Sequence, residues 1–280
     1  MGLGSMGRVG ERPVAADALE WAFFCFDYRD LNWSTEIHRR LLAELRDMQT
    51  EHSDNAERQL LATVTGELCQ PVRIYYDVPD KNAVNKKFRA LKCVQSDPAR
   101  RRWVWLFDGE AKALAFEKSY RDIPTKLRPV VIGSFHFRPP SEMHLDLRSI
   151  ERAIHALPFF DRHLGRKTAE ATEFSIVNRL LGAAEQPIDF DRLFKDEVRV
   201  DFEKLLDQVK DDPLAVLKLL EDEMKKPEPE VVRRPLNFYS DGIDSFRTAL
   251  KIRQSMAFEH WSGNPVSVGD FYNRMLGQGG

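Results

Sequence analysis

Cysteine is scarce: the chain has 3 in 280 residues, Cys25, Cys69 and Cys93, widely spaced and without a C-x-x-C pair. That spacing excludes a disulfide-dense scaffold, a thiolate zinc site and a dithiol redox motif, and reduced thiols fit a cytoplasmic protein. Long apolar runs are also missing. Trp21 to Phe26 and Val130 to Ile132 fall far short of the roughly 20 apolar residues that a membrane-spanning helix needs, so no membrane partner is expected. Glycine is sparse away from the chain ends, and neither G-x-G-x-x-G nor G-x-x-x-x-G-K-[ST] occurs to bring backbone amides against a phosphate. H-E-x-x-H, G-x-S-x-G, the deaminase pair H-x-E with P-C-x-x-C, and the EF-hand loop are absent too. No cofactor is expected on these grounds. Only a site assembled from residues scattered along the chain is left open for catalysis.

A hydrophobic content of 42% is ample for a buried core in one large or two small domains. Met1 to Ser5 reads as a cloning remnant ahead of Met6, within an unstructured start over residues 1–15. Four segments rich in aromatic and β-branched residues predict strands: Trp21 to Phe26, Val72 to Tyr76, Trp103 to Phe107 and Val130 to Phe137. Ile37, Leu41, Leu42, Leu45 and Met48 make one apolar helical stripe behind a Ser34 cap, and Leu60, Leu61, Val64 and Leu68 continue it. Beyond Ser149 the apolar residues take helical spacing. Ile150 to Leu157 forms one face that Pro158 interrupts, Phe174 to Leu181 forms another, and residues 189–226 carry several more. The expected fold is therefore α+β, an N-terminal mixed sheet with packed helices followed by a mainly helical C-terminal half. The expected divisions are an α+β domain over 16–183, a helical extension over 184–226, a Pro- and charge-rich linker over 227–237, and a C-terminal helical arm over 238–280.

Charge is unevenly distributed although the net is only -2. Lys81 to Val104 holds eight basic residues against Asp97 alone, whereas Asp189 to Glu230 holds 14 acidic residues against 8 basic ones. In the basic stretch Lys86, Lys87, Arg89, Lys92, Arg100, Arg101 and Arg102 suit nucleic-acid phosphates or an acidic protein, with aromatic rings between them for stacking. The bland reading is a solvated helix face with Phe88, Leu91 and Val94 turned inward. In the arm, Trp261, Phe271 and Tyr272 are too apolar for a free tail and point to a protein partner.

Two constellations could hold a metal. Alternation along a strand puts Glu142, His144, Asp146 and Arg148 on one face and Met143, Leu145 and Leu147 on the other, and likewise groups Ser134, His136 and Arg138. If Pro139, Pro140 and Ser141 turn the chain into a hairpin, His136, His144 and Asp146 converge as imidazole and carboxylate ligands. An ordinary solvated outer face would show the same alternation. The second set is Asp27, Asp77 and Asp108, each closing a predicted strand, where turn chemistry is the competing explanation. Cys25 and Cys93 are weaker candidates as nucleophiles, since free cysteine is commonly a small buried hydrophobe. Charge asymmetry, the apolar arm and missing cofactor motifs favour a non-catalytic adaptor of an intracellular assembly, contacting nucleic acid or an acidic protein partner through the basic stretch and a protein partner through the arm. The alternative is a metal-dependent hydrolase, a phosphoesterase or nuclease, built on the histidine and aspartate ligands.

Overall fold

The structure, a computed structural model, describes residues 59–225 and 229–264. The expected strand at Trp21 to Phe26, the helix of Ile37 to Met48, Cys25, Asp27, Phe271 and Tyr272 all lie outside the described residues. In chain order the elements are β1 (Val72–Asp77), α1 (Lys81–Ala90), β2 (Val94–Asp97), β3 (Arg102–Leu106), β4 (Val131–Arg138), β5 (Glu142–Leu147), α2 (Ile150–Leu164) and β6 (Glu170–Val177). They continue with α3 (Phe190–Leu193), β7 (Val198–Arg199), α4 (Phe202–Asp207), α5 (Pro213–Lys225), β8 (Val231–Pro235) and α6 (Phe238–Trp261). The strands form one sheet in the order β2-β3-β4-β5-β1-β6-β8-β7. Every neighbouring pair is antiparallel except β7 with β8. Within it, β1-α1-β4 and β5-α2-β6 are two interleaved βαβ units, each enclosing the other's first strand, and the β2–β3 hairpin extends one edge.

One face of the sheet is dry. Val84 and Phe88 of α1, Leu157, Phe160 and Leu164 of α2, and Phe246 and Leu250 of α6 share a cluster with Val72, Ile74, Trp105, Phe135, Leu145 and Leu147. Phe160 sits at its aromatic centre, with ring centroids 4.7 Å from Phe135 and 4.9 Å from Trp105. Gly133 is required by close approach: a Cβ there would stand 2.9 Å from Leu145 Cδ1. The opposite face carries Arg73, Tyr75, Ser134, His136, His144, Asp146, Ser175 and Arg233. It is roofed in part by the chain around α3, where Phe194 clusters with Val177 and Val231, and Ile188 with Leu181.

The expected division into a sheet half and a helical half is overturned, because β5, β6, β7 and β8 all come from residue 142 onward and join the same sheet. Phe174 to Val177 belongs to a strand rather than a helix. β6 lies between β1 and β8, so Phe174, Ser175, Ile176 and Val177 are all buried, and a strand buried on both faces loses the period-2 pattern that would have marked it. The stretch Leu60 to Leu68 is not helical: it reverses through a turn at Val64 to Gly66, with isolated bridges from Leu60 to Gly182 and from Ala62 to Leu68. Pro158 does not end its helix: α2 runs through it to Leu164 because Phe160 and Leu164, both fully buried, carry the apolar face onward. Within the expected linker, Val231–Pro235 is β8, with Val232 in the main core. Residues 189–225 form the three helices α3, α4 and α5, with β7 between the first two.

Candidate metal centre

The site begins with the β4–β5 hairpin, in which Pro139 and Pro140 lie in the turn and the register sets Ser134 opposite Asp146 and His136 opposite His144. Because the side-chain period of a strand is two, this register puts both imidazoles and the carboxylate on the same face. β1 supplies the third strand, with Arg73 opposite Asp146 and Tyr75 opposite His144. The expected sidedness holds: Phe135, Leu145 and Leu147 are fully buried on the far side, with Phe137 half-buried. The polar face is not the open surface that alternation alone suggests. His144 and Asp146 are 2% and 6% exposed, because both sit on β5, a central strand flanked by β4 and β1, whereas His136 keeps about a third of its side chain in solvent.

Three ligand-capable atoms, one each from His136, His144 and Asp146, lie within 4.8 Å of one another. His136 Nε2 is 3.8 Å and His144 Nε2 is 3.7 Å from the same Asp146 oxygen, Oδ2, and the two rings stack with centroids 5.2 Å apart. Both separations exceed hydrogen-bond reach. His144 Nδ1 is buried with no hydrogen-bond partner. Asp146 is held from behind: Arg73 Nε donates to Oδ1 at 2.6 Å and Nη2 donates to Oδ2 at 3.1 Å. This two-pronged bond fixes the plane of the carboxylate, as outer partners commonly do for metal ligands. Arg138 and Asp191 stand at the rim, and Arg102 bonds Ser134 Oγ at 3.1 Å.

Electrostatics keep both imidazoles neutral, the form a metal requires. Burial, reinforced by Arg73, Arg138, His136 and Arg233, pushes the His144 pKa down to about 2. Burial lowers that of His136 as well, with Asp146 and Asp191 partly offsetting it. Burial raises the Asp146 carboxyl above its ordinary value against the pull of the Arg73 bonds. Burial also opposes the charge on Arg73, but its bond to Asp146 prevails and lifts its pKa.

The His144 shift has a consequence for stability. Its folded pKa lies below its unfolded one, so between them the unfolded chain binds more protons. The contribution is complete above about pH 6.5 and is lost as pH falls, at about 1.4 kcal/mol per pH unit while the fold persists. Urea unfolding of metal-free protein from about pH 6 to about pH 5 should approach this slope in wild type and show a flatter one in His144→Gln. Parallel slopes would contradict the assignment.

A second network adjoins the centre. Arg233 donates to Glu173 Oε2 at 2.6 Å and to Glu197 Oε1 at 3.1 Å, and its guanidinium lies 3.6 Å from the centroid of the Tyr75 ring. Tyr75 and Ser175 both donate to Glu197 Oε2, at 2.5 and 2.6 Å. Burial and the Glu197 bond push the Tyr75 phenol up to about 12, so it remains a donor at neutral pH.

The other predicted residues are dispersed. Lys86, Lys87 and Arg89 ride on α1, on the helical side of the sheet, whereas Arg102 projects from the opposite face and bonds Asp97 as well as Ser134. Arg100 and Arg101 are exposed at the tip of the β2–β3 hairpin, Lys92 is exposed after α1, and Lys87 Nζ donates to the Leu164 carbonyl. Asp77 ends β1 and Asp108 lies just past β3, and these strands run in opposite directions, so the two residues lie at opposite ends of the sheet and cannot share a cation. Asp108 caps the 3-10 turn Gly109–Ala113 and pairs with Lys112 at 2.7 Å. Cys69 and Cys93 are buried, and burial pushes their thiols up to about 11 and about 12, so neither is poised as a nucleophile. Trp261 stacks on Phe258 of its own helix, 5.9 Å between centroids.

Sequence reasoning missed Arg73, Asp191, Tyr75, Glu197 and Arg233. A trace of Arg73 was present: one charge inside Val72-Arg73-Ile74-Tyr75-Tyr76, a position that must be paired if buried. Nothing local marked Asp191, which reaches the site through the roofing segment. No family model, curated protein or solved structure matches this chain.

Proposed function

We propose that this protein is a metal-dependent hydrolase of phosphate esters, a phosphoesterase or nuclease, in which His136, His144 and Asp146 hold one divalent transition-metal ion. The reading rests on one observation: two neutral imidazoles and a braced carboxylate converge within 4.8 Å, and one nitrogen of the buried His144 is unpartnered. Two histidines and one carboxylate are a known catalytic donor set, with further coordination positions left for water and substrate. A cation at this place would lower the pKa of a bound water and polarise a phosphoryl oxygen. The phosphate-ester preference comes from charge, since Arg73, Arg102 and Arg138 surround the cluster and would favour an anionic substrate. Arg73 would orient Asp146, and Tyr75 would support the His144 strand through its bond to Glu197.

The test is metal binding followed by turnover. Mn²⁺ or Zn²⁺ at a hundredfold excess over its Kd should stabilise the fold by about 2.7 kcal/mol, seen as a raised Tm, and His136→Asn should abolish the rise. A phosphodiester reporter and single-stranded DNA should then be hydrolysed in the presence of metal and not in EDTA. Absence of both the Tm rise and hydrolysis would sink the proposal. The adaptor reading retains Arg100 and Arg101 at the hairpin tip, and a pull-down of generic oligonucleotides that is lost in Arg101→Ala without any metal effect would favour it.

A further inference from the structure

We infer that Arg73 and Arg138 form the seat for a substrate phosphate group, and that Asp191 occupies this seat as an internal stand-in. This deepens the hydrolase reading and rests on it for the meaning of the seat, though the binding itself does not need the metal. Asp191 Oδ1 lies 3.4 Å from Arg73 Nη2 and 3.5 Å from Arg138 Nη2, so one carboxylate oxygen bridges two guanidinium groups. Arg73 is 2% exposed and its Nη2 is shared, donating to Asp146 Oδ2 at 3.1 Å as well as facing Asp191, while Nε is committed to Asp146; Asp191 is 84% exposed.

The two ends of the roofing segment differ in kind. Phe194 is nearly fully buried, with the Arg73 guanidinium 4.7 Å from its ring centroid, and anchors the segment to the sheet. Asp191, three residues earlier, is attached only at its carboxylate tip, beyond both hydrogen-bond optimum and full burial. Displacing it would cost little, because exposed ion pairs contribute little. The bridged position adjoins the metal cluster: Arg73 also holds Asp146, and His136 senses the charges of both Asp146 and Asp191. An anion placed there would thus have one oxygen directed to the two guanidiniums and others toward the cation position. A tetrahedral phosphate group offers that number of acceptors, and a carboxylate does not.

The experiment is calorimetric titration of the full chain with inorganic phosphate in EDTA. Asp191→Asn removes the competing charge at an exposed position and should tighten phosphate binding about fivefold or more. Adding Arg138→Ala to that variant should cancel the gain. Unchanged phosphate affinity in Asp191→Asn would overturn the seat, and an equal gain for acetate would overturn its assignment to phosphate. Because the titration is metal-free, failure of Mn²⁺ to bind would reject the metal centre while a gain in Asp191→Asn still upheld the seat.

Discussion

Phe160→Ala should destabilise the protein by about 3–5 kcal/mol, the usual cost of removing a fully buried phenyl ring. The ring touches four aromatic neighbours, Phe88, Trp105, Phe135 and Phe159, with centroid distances from 4.7 to 6.3 Å. It locks α2 to the dry face of β3 and β4, the strand that carries His136 on its other side. Neighbouring rings can move only partly into the vacated space, since Phe88, Trp105 and Phe135 are themselves fully buried. Urea denaturation should show a lower midpoint with an unchanged slope. A loss under about 1 kcal/mol would mean that the cluster can collapse around the cavity, and that α2 is not the clamp described above.

Phe160 also shows why the second half was hard to read. Local rules stop a helix before Pro158, because proline lacks an N–H and its ring crowds the preceding turn. Here the apolar face continues at Phe160 and Leu164, and tertiary burial outweighs the local penalty. β6 failed for a related reason. A central strand buried on both faces has no alternation, and its Phe174, Val177, Leu180 and Leu181 happen to fall at helical spacing. By contrast, β4 and β5 were legible because one face is dry and the other polar, which leaves a period of two in the sequence. The same alternation made the convergence of His136, His144 and Asp146 legible. It could not tell that a distant segment would cover them, and so it left a solvated face as the natural alternative. Arg73 reaches the site from β1 through strand order and Asp191 from α3 through the segment that covers this face, and neither placement is written in any one stretch of chain.

Asp146→Ala should cost about 3–5 kcal/mol, because it leaves the guanidinium of Arg73 buried and unpaired, and it should abolish metal binding as well. Two roles are confounded in that single change, and a second variant separates them. Replacing both partners, Arg73→Met with Asp146→Leu, removes the buried charges together and fills much of the same volume, so stability should return to within about 1–2 kcal/mol of wild type. Metal binding should stay lost, since Leu offers no ligand. Asp191→Asn in the single-variant background should change little, because Asp191 is too exposed and too distant from Arg73 to replace a bidentate partner. The measurement is a double-mutant cycle by urea denaturation, paired with Mn²⁺ titration of each variant. If Asp146→Ala is nearly as stable as wild type, Arg73 has another route to water or to a counter-charge, and the bracing of the carboxylate described here is wrong. If the double variant is as unstable as the single one, the cost lies in packing around residue 146, and the ion pair does not set it. Recovery of stability without recovery of metal binding is the outcome that assigns Arg73 to positioning and Asp146 to ligation.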